Sequence, residues 1–223
     1  RTLLADLAGG PGGRAGPGAA AFETELAWRE FYADVLWHSP ETAREHLRPE
    51  FARMRYDEPG EALEAWTRGE TGYPFVDAGM RQLLAEGWMH NRLRMVVASF
   101  LVKDLHVAWQ HGARWFMRRL RDGDLASNSH NWQWTAGSGT DAAPYFRVFN
   151  PVAQGLRFDP DGGYVRRWVP QLRHLAGGAV HEPWKHPDGY RAGYPSRIVE
   201  HAAERAESLA RYAQRHRPAG DRP

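Results

Sequence analysis

Between Trp88 and Gln110 the sequence WMHNRLRMVVASFLVKDLHVAWQ is apolar almost all round a 3.6-residue helical wheel. A helix without a polar face is stable only when other elements enclose it, so this run predicts a central helix with others packed about it. Apolar residues recur at helical spacing in several flanking segments. Phe22 to His38 is one, stopped by Ser39 and Pro40. A short helix carries Leu63 and Trp66 and ends at Gly69, and another carries Val76, Met80, Leu83 and Leu84 and ends at Gly87. Ala113–Leu120, Tyr164–Val169 and Ile198–Arg215 follow, and no segment shows the sustained alternation of a strand. The fold class expected is all-α. With 223 residues, 42% of them apolar, the chain can bury one sizeable core. The domain reading is a residual helix end and Gly/Pro-rich linker over 1–21, a helical domain over 22–217 and a tail over 218–223. Leu3, Leu4 and Leu7 start without a cap, which suggests a helix whose beginning lies upstream.

Cysteine is absent, which removes disulfides, thiolate nucleophiles and Cys-ligated metals together and suits a reducing compartment. No apolar run is long enough to cross a bilayer, so a cytoplasmic monomer with no membrane partner is expected. Of 29 cationic side chains only Lys103 and Lys185 are lysine. Arginine suits phosphate and planar groups, although the bias can equally be a habit of the whole genome. The ten tryptophans exceed what a core of this size requires.

The segment Asp122 to Pro151, DGDLASNSHNWQWTAGSGTDAAPYFRVFNP, has neither helical nor strand period and no low-complexity bias. A long aperiodic stretch of this kind reads as a site, the alternative being an ordered loop pinned by buried indoles. Asn91, Arg92 and Arg94 add polar groups to the apolar central run, where a charge must be paired or face a ligand unless it snorkels from a helix end. Asp122, Asp124 and His130 match no closed metal motif, and no metal is expected. Ser127, Ser129 and Ser138 lie in no nucleophile-elbow pattern. The residue types better suit a polar planar cofactor: a carboxylate to accept from a ring N–H, an arginine to offset ring charge, an amide to hydrogen-bond a ring nitrogen, and indoles beside it. By themselves they do not choose a flavin over another planar ligand.

Longer motifs make that choice. WREFY at 28–32, TGYPFVDAGMRQL at 71–83, GWMHNRLRMVVASFLVKDL at 87–105, DGDLASN at 122–128, WQW at 132–134, GTDAAPYFRVFNP at 139–151 and HEPW at 181–184 resemble the C-terminal helical flavin domain of the photolyase/cryptochrome family. They are most similar to its class I cyclobutane-dimer photolyases. The resemblance implies light-driven repair of pyrimidine dimers in DNA by electron transfer from reduced FAD, a deoxyribodipyrimidine photo-lyase activity. It implies flavin contacts at Arg94, Asp122, Gly123, Asp124 and Asn128. It implies dimer contacts at Glu25, Asn91 and Met95, with Trp28 and Trp134 as stacking walls for the flipped-out bases, and DNA contacts at Arg29, Arg92 and Gln154. Base-flipping enzymes need such stacking walls and edge hydrogen bonds. Glu25 would act as a protonated acid, which calls for burial. The alternatives are a cryptochrome-type photoreceptor without repair activity, or a DNA-binding helical body without flavin.

The resemblance also implies an electron relay, with Trp132 proximal and Trp109 in the middle. The distal position aligns with Tyr56, a poorer terminus unless its phenol loses a proton. Neither the N-terminal α/β domain that holds an antenna chromophore nor the Thr-Ser-x-Leu-Ser-Pro type segment that grips the FAD phosphates is found in the sequence. The antenna is therefore expected only in a longer protein, and FAD retention by this chain is expected to be weak.

Overall fold

A computed structural model describes residues 17–140 and 146–214. The expected helix end at 1–7, the start of the linker, the tail, and Asp141 to Tyr145 of the GTDAAPYFRVFNP motif lie outside the described residues. Within them the architecture is all-α, as expected. No strand forms, and the sole extended pairing is an isolated bridge between Asp57 and Val107.

Helix α1 spans Pro17–His38, beginning five residues before the expected Phe22. Proline at a first helical position and the alanines that follow it, the strongest helix formers, explain the extension into what read as linker. Helices α2 (Glu61–Arg68) and α3 (Pro74–Glu86) end on Gly69 and Gly87, both at φ 66°, a left-handed conformation that glycine adopts without strain. Buried Asp77 on α3 holds the α2–α3 turn by accepting from the Thr71 and Gly72 backbone N–H groups at 2.8 and 3.1 Å and from the Tyr194 hydroxyl.

The central run is not one helix. His90 caps α4, Asn91–Ser99, by accepting from the Arg92 N–H, and the helix then widens into a π turn, Phe100–Asp104. The chain breaks at His106, φ 54°, before α5 starts at Trp109 and runs to Arg119. The apolar residues are buried as their pattern requires: Val96, Val97, Phe100, Leu101 and Val102 lie in the core. What the pattern could not show is that Asp104 and His106 are buried too and take partners from a distant helix. His201 bonds Asp104, and Glu204 bonds His106 at 2.8 Å. A helix continuing through 105–108 would carry His106 past the strand-like bridge, where the Asp57 N–H donates to its carbonyl at 2.9 Å.

The segment that read as aperiodic contains a helix, α6, Leu125–Ala136, capped by Asp124 and closed by Gly137 at φ 88°. Its buried face is polar, which hid the period: Ser129, His130, Gln133 and Thr135 are all buried. Gln133 accounts for the exception by accepting from the Leu47 N–H at 2.7 Å and donating to the Thr42 carbonyl at 2.8 Å. Helix α7, Pro151–Phe158, also went unanticipated. Asn150 caps it, with Pro151 at its first position. Helix α8 (Gly163–Trp168) and the last helix, α9 (His201–Gln214), complete the body. Arg211 clamps α9 to the chain before α2 through Asp57, at 2.8 and 3.2 Å. No described helix is long and apolar enough to cross a membrane.

Candidate functional site

The start of α4, the α5–α6 connection and one side of α6 line an open cleft with a cavity volume of about 100 Å³. Asn91, Arg94, Met95, Asp122, Gly123, Asp124, Asn128 and Trp132, all singled out in the sequence, line it. Each position has a local cause. Arg94 is tethered by its Nε, which donates to the Met89 carbonyl at 2.9 Å, so its Nη2 can span both oxygens of Asp122 at 3.1 and 2.8 Å. Asp124 is held by its capping bond, accepting from the Ser127 N–H at 2.8 Å. Asn128 donates from Nδ2 to the Ala113 carbonyl at 3.0 Å, tying α6 to α5 and leaving Oδ1 as the amide's acceptor.

Trp132 forms a buried wall. Gly112 permits its approach: a Cβ there would overlap the indole. Phe116 and Trp66 meet its edge-on faces at 5.0 and 6.1 Å. Its buried N–H has no acceptor among the described residues, an unmet donor beside the cleft. Ser127, Asn131, Thr135, Ala98, Phe116 and Leu120 complete the lining. The sequence pattern singled out none of these as site residues, because their contribution depends on how α4, α5 and α6 meet. The result is one apolar, aromatic side and one rim of carboxylate, guanidinium and amide groups. A planar heteroaromatic ring with hydrogen-bonding edges fits that donor set, and the isoalloxazine of FAD is such a ring.

The remaining expected residues lie elsewhere. Glu25, Trp28 and Arg29 stand exposed on α1, so Glu25 lacks the burial expected of a proton-sharing acid. Trp28 stacks on Tyr32 at 5.9 Å, and Tyr32 stacks on buried His130 of α6 at 5.5 Å, which fixes α1 against α6. Trp134 is half-buried under the Arg147 guanidinium, 5.3 Å from its ring. Arg92 lies 4.7 Å over Phe158, bringing it to the helix that carries Gln154, whose buried Oε1 has no partner among the described residues.

Trp109 is fully buried one helical turn before Gly112, the glycine against which the Trp132 indole packs. Between Trp109 and Tyr56 stands a residue that sequence reasoning missed. His46 accepts from the Trp109 Nε1–H at 3.3 Å and stacks on Tyr56 at 6.0 Å, with 11° between the planes. It lies in an irregular connection, where no periodicity marks it. Burial lowers its pKa to about 4 and keeps the imidazole neutral, while burial raises that of Tyr56 far above the ordinary phenol range.

Residues 22–214 match the family model described as the FAD binding domain of DNA photolyase. The chain belongs to that family. A deoxyribodipyrimidine photo-lyase of Vibrio cholerae is 49% identical over 201 residues, covering 90% of the chain and 43% of that protein. A bacterial class III photolyase from Agrobacterium tumefaciens superposes with a TM-score of 0.85 at 46% identity, covering 91% of the chain and 44% of that structure. An archaeal photolyase from Sulfolobus tokodaii, solved with two FAD molecules, superposes at 0.81 and 38% identity, covering 87% of the chain and 44% of that structure. This photolyase-family chain therefore spans less than half the length of these relatives.

Proposed function

We propose that the chain is the flavin-holding part of a deoxyribodipyrimidine photo-lyase, which repairs cyclobutane pyrimidine dimers in DNA and acts as a cytoplasmic monomer. The observation that carries this reading is the cleft itself, where Arg94 forked to Asp122, Asn128 and the Trp132 wall converge from separate elements. Reduced FAD held there would supply the light-excited electron for dimer splitting and accept it back afterwards. The chain's own residues do the rest. Asp122 would accept from the N–H edge of the ring, Arg94 would offset charge there, and Asn128 would offer a hydrogen bond to a ring nitrogen. Asp124 and Gly123 would hold the ribityl side. Glu25, Asn91 and Met95 contact the dimer, Trp28 and Trp134 stack on its bases, and Arg29, Arg92 and Gln154 meet the DNA. Trp132 would pass electrons between the ring and Trp109.

The test is light-dependent loss of thymine dimers with FAD supplied, comparing the chain with Arg94→Ala and Asp122→Ala. The pair is 24% and 48% exposed, so each change should cost no more than about 1 kcal/mol of stability while sharply reducing flavin binding and repair. Flavin bound with no dimer loss in the parent chain would instead favour a photoreceptor of cryptochrome type.

A further inference from the structure

The hydrogen bond from Trp109 to His46 assigns a proton-transfer role to a residue outside the flavin cleft. We propose that His46 is the proton acceptor for Trp109: when the indole gives up an electron toward the cleft, its N–H proton passes to His46 Nδ1, leaving a neutral indolyl radical. The proposal rests on the reading of Trp132 and Trp109 as an electron relay to a flavin. The balance is complete. Trp109 loses one electron, through Trp132, to light-excited oxidised flavin in the cleft, which is thereby reduced by one electron, and one proton to His46, whose imidazole becomes imidazolium. Both return when the electron comes back.

Three observations support it. Trp109 is fully buried, so a cation left on its indole would sit without water to solvate it. His46 Nδ1 is already the hydrogen-bond acceptor of that N–H at 3.3 Å, and the ring is only half-buried, so moving the proton moves positive charge toward solvent. The neighbouring backbone is held on both sides: Gln110 of α5 donates to the Arg44 carbonyl at 3.1 Å, and the Leu47 N–H donates to Gln133 of α6 at 2.7 Å. A base fixed in place before the reaction needs no reorganisation during it. Neutrality at ordinary pH follows from the same burial, which lowers the imidazole pKa to about 4.

Tyr56 differs. It stacks on His46, but its buried hydroxyl has no hydrogen-bond partner among the described residues. Oxidising it would leave the phenol proton without a base, so the oxidised state stays on Trp109.

His46→Phe keeps an aromatic ring and removes the acceptor, and His46→Gln keeps a hydrogen-bond acceptor without a comparable base. In the FAD-loaded parent chain, flash photolysis should show an indole radical cation converting to the neutral radical, more slowly in heavy water. In both variants that conversion should slow by on the order of a hundredfold, within the range found for a positioned proton acceptor. In the cofactor-free chain the Trp109 indole N–H resonance should lie downfield and move upfield in His46→Phe but much less in His46→Gln. Fast deprotonation retained in either variant, or an unmoved resonance in His46→Phe, overturns the proposal and leaves the relay reading intact. A radical signal that is absent from the parent, or unchanged by Trp109→Phe, overturns the relay and this proposal with it.

Discussion

Asp124 illustrates how one side chain can serve structure and site together. Its carboxylate caps α6, and α6 presents Ser127, Asn128, Asn131 and Trp132 to the cleft. Asp124→Ala removes the acceptor for the Ser127 N–H and should cost about 1 kcal/mol, read as a lower melting temperature, with weaker flavin binding as the first turn frays. Asp124→Asn keeps a cap of nearly equal strength, so stability should return. If flavin affinity then stays low, the carboxylate itself contacts the ligand. Arg94 and Asp122 behave differently, since they are partly exposed and contribute to binding more than to folding. All three were legible in DGDLASN and in the charged start of the apolar run. Their pairing was not visible, because Arg94 and Asp122 lie 28 positions apart and meet only where α4 approaches the α5–α6 connection.

Among the elements, α5 and α6 pack against each other more extensively than any other pair of described helices, and Gly112 sets their separation. Alanine at Gly112 would gain helix propensity of about 1 kcal/mol, yet its methyl would overlap Trp132 and Leu101. Overpacking of this kind typically costs ~1–3 kcal/mol, so Gly112→Ala should lower the melting temperature and displace Trp132, seen as changed tryptophan fluorescence and reduced flavin binding. An unchanged melting temperature with unchanged emission would mean that the helices separate freely. The helices that were easiest to read, α2 and α3, have an apolar buried face and a glycine stop. Of those that escaped, α6 does not fit a hydrophobic template: it buries polar groups satisfied by partners more than 80 positions away. A period computed from apolarity cannot register such a face.

Across the whole molecule, the cleft draws on the middle of the chain, from Asn91 to Thr135, and has charged groups Arg94, Asp122 and Asp124, with Arg94 already committed to Asp122. That set recognises a ring edge and offers no uncommitted cation to a pyrophosphate. The chain should therefore bind riboflavin and FAD with affinities within about a factor of ten, 1.4 kcal/mol, measured by flavin fluorescence titration. A much tighter FAD would show that residues outside the cleft hold its phosphates. The all-α class, the helix stops and the identity of most cleft residues were determined by sequence alone, through hydrophobic spacing, glycine and proline chemistry and the family motifs. Only the tertiary structure decided three things: the break between α4 and α5, the polar burial of α6, and the placement of His46 between Trp109 and Tyr56. Each depends on partners distant in sequence, and a buried polar group is tolerable only where the fold brings its partner.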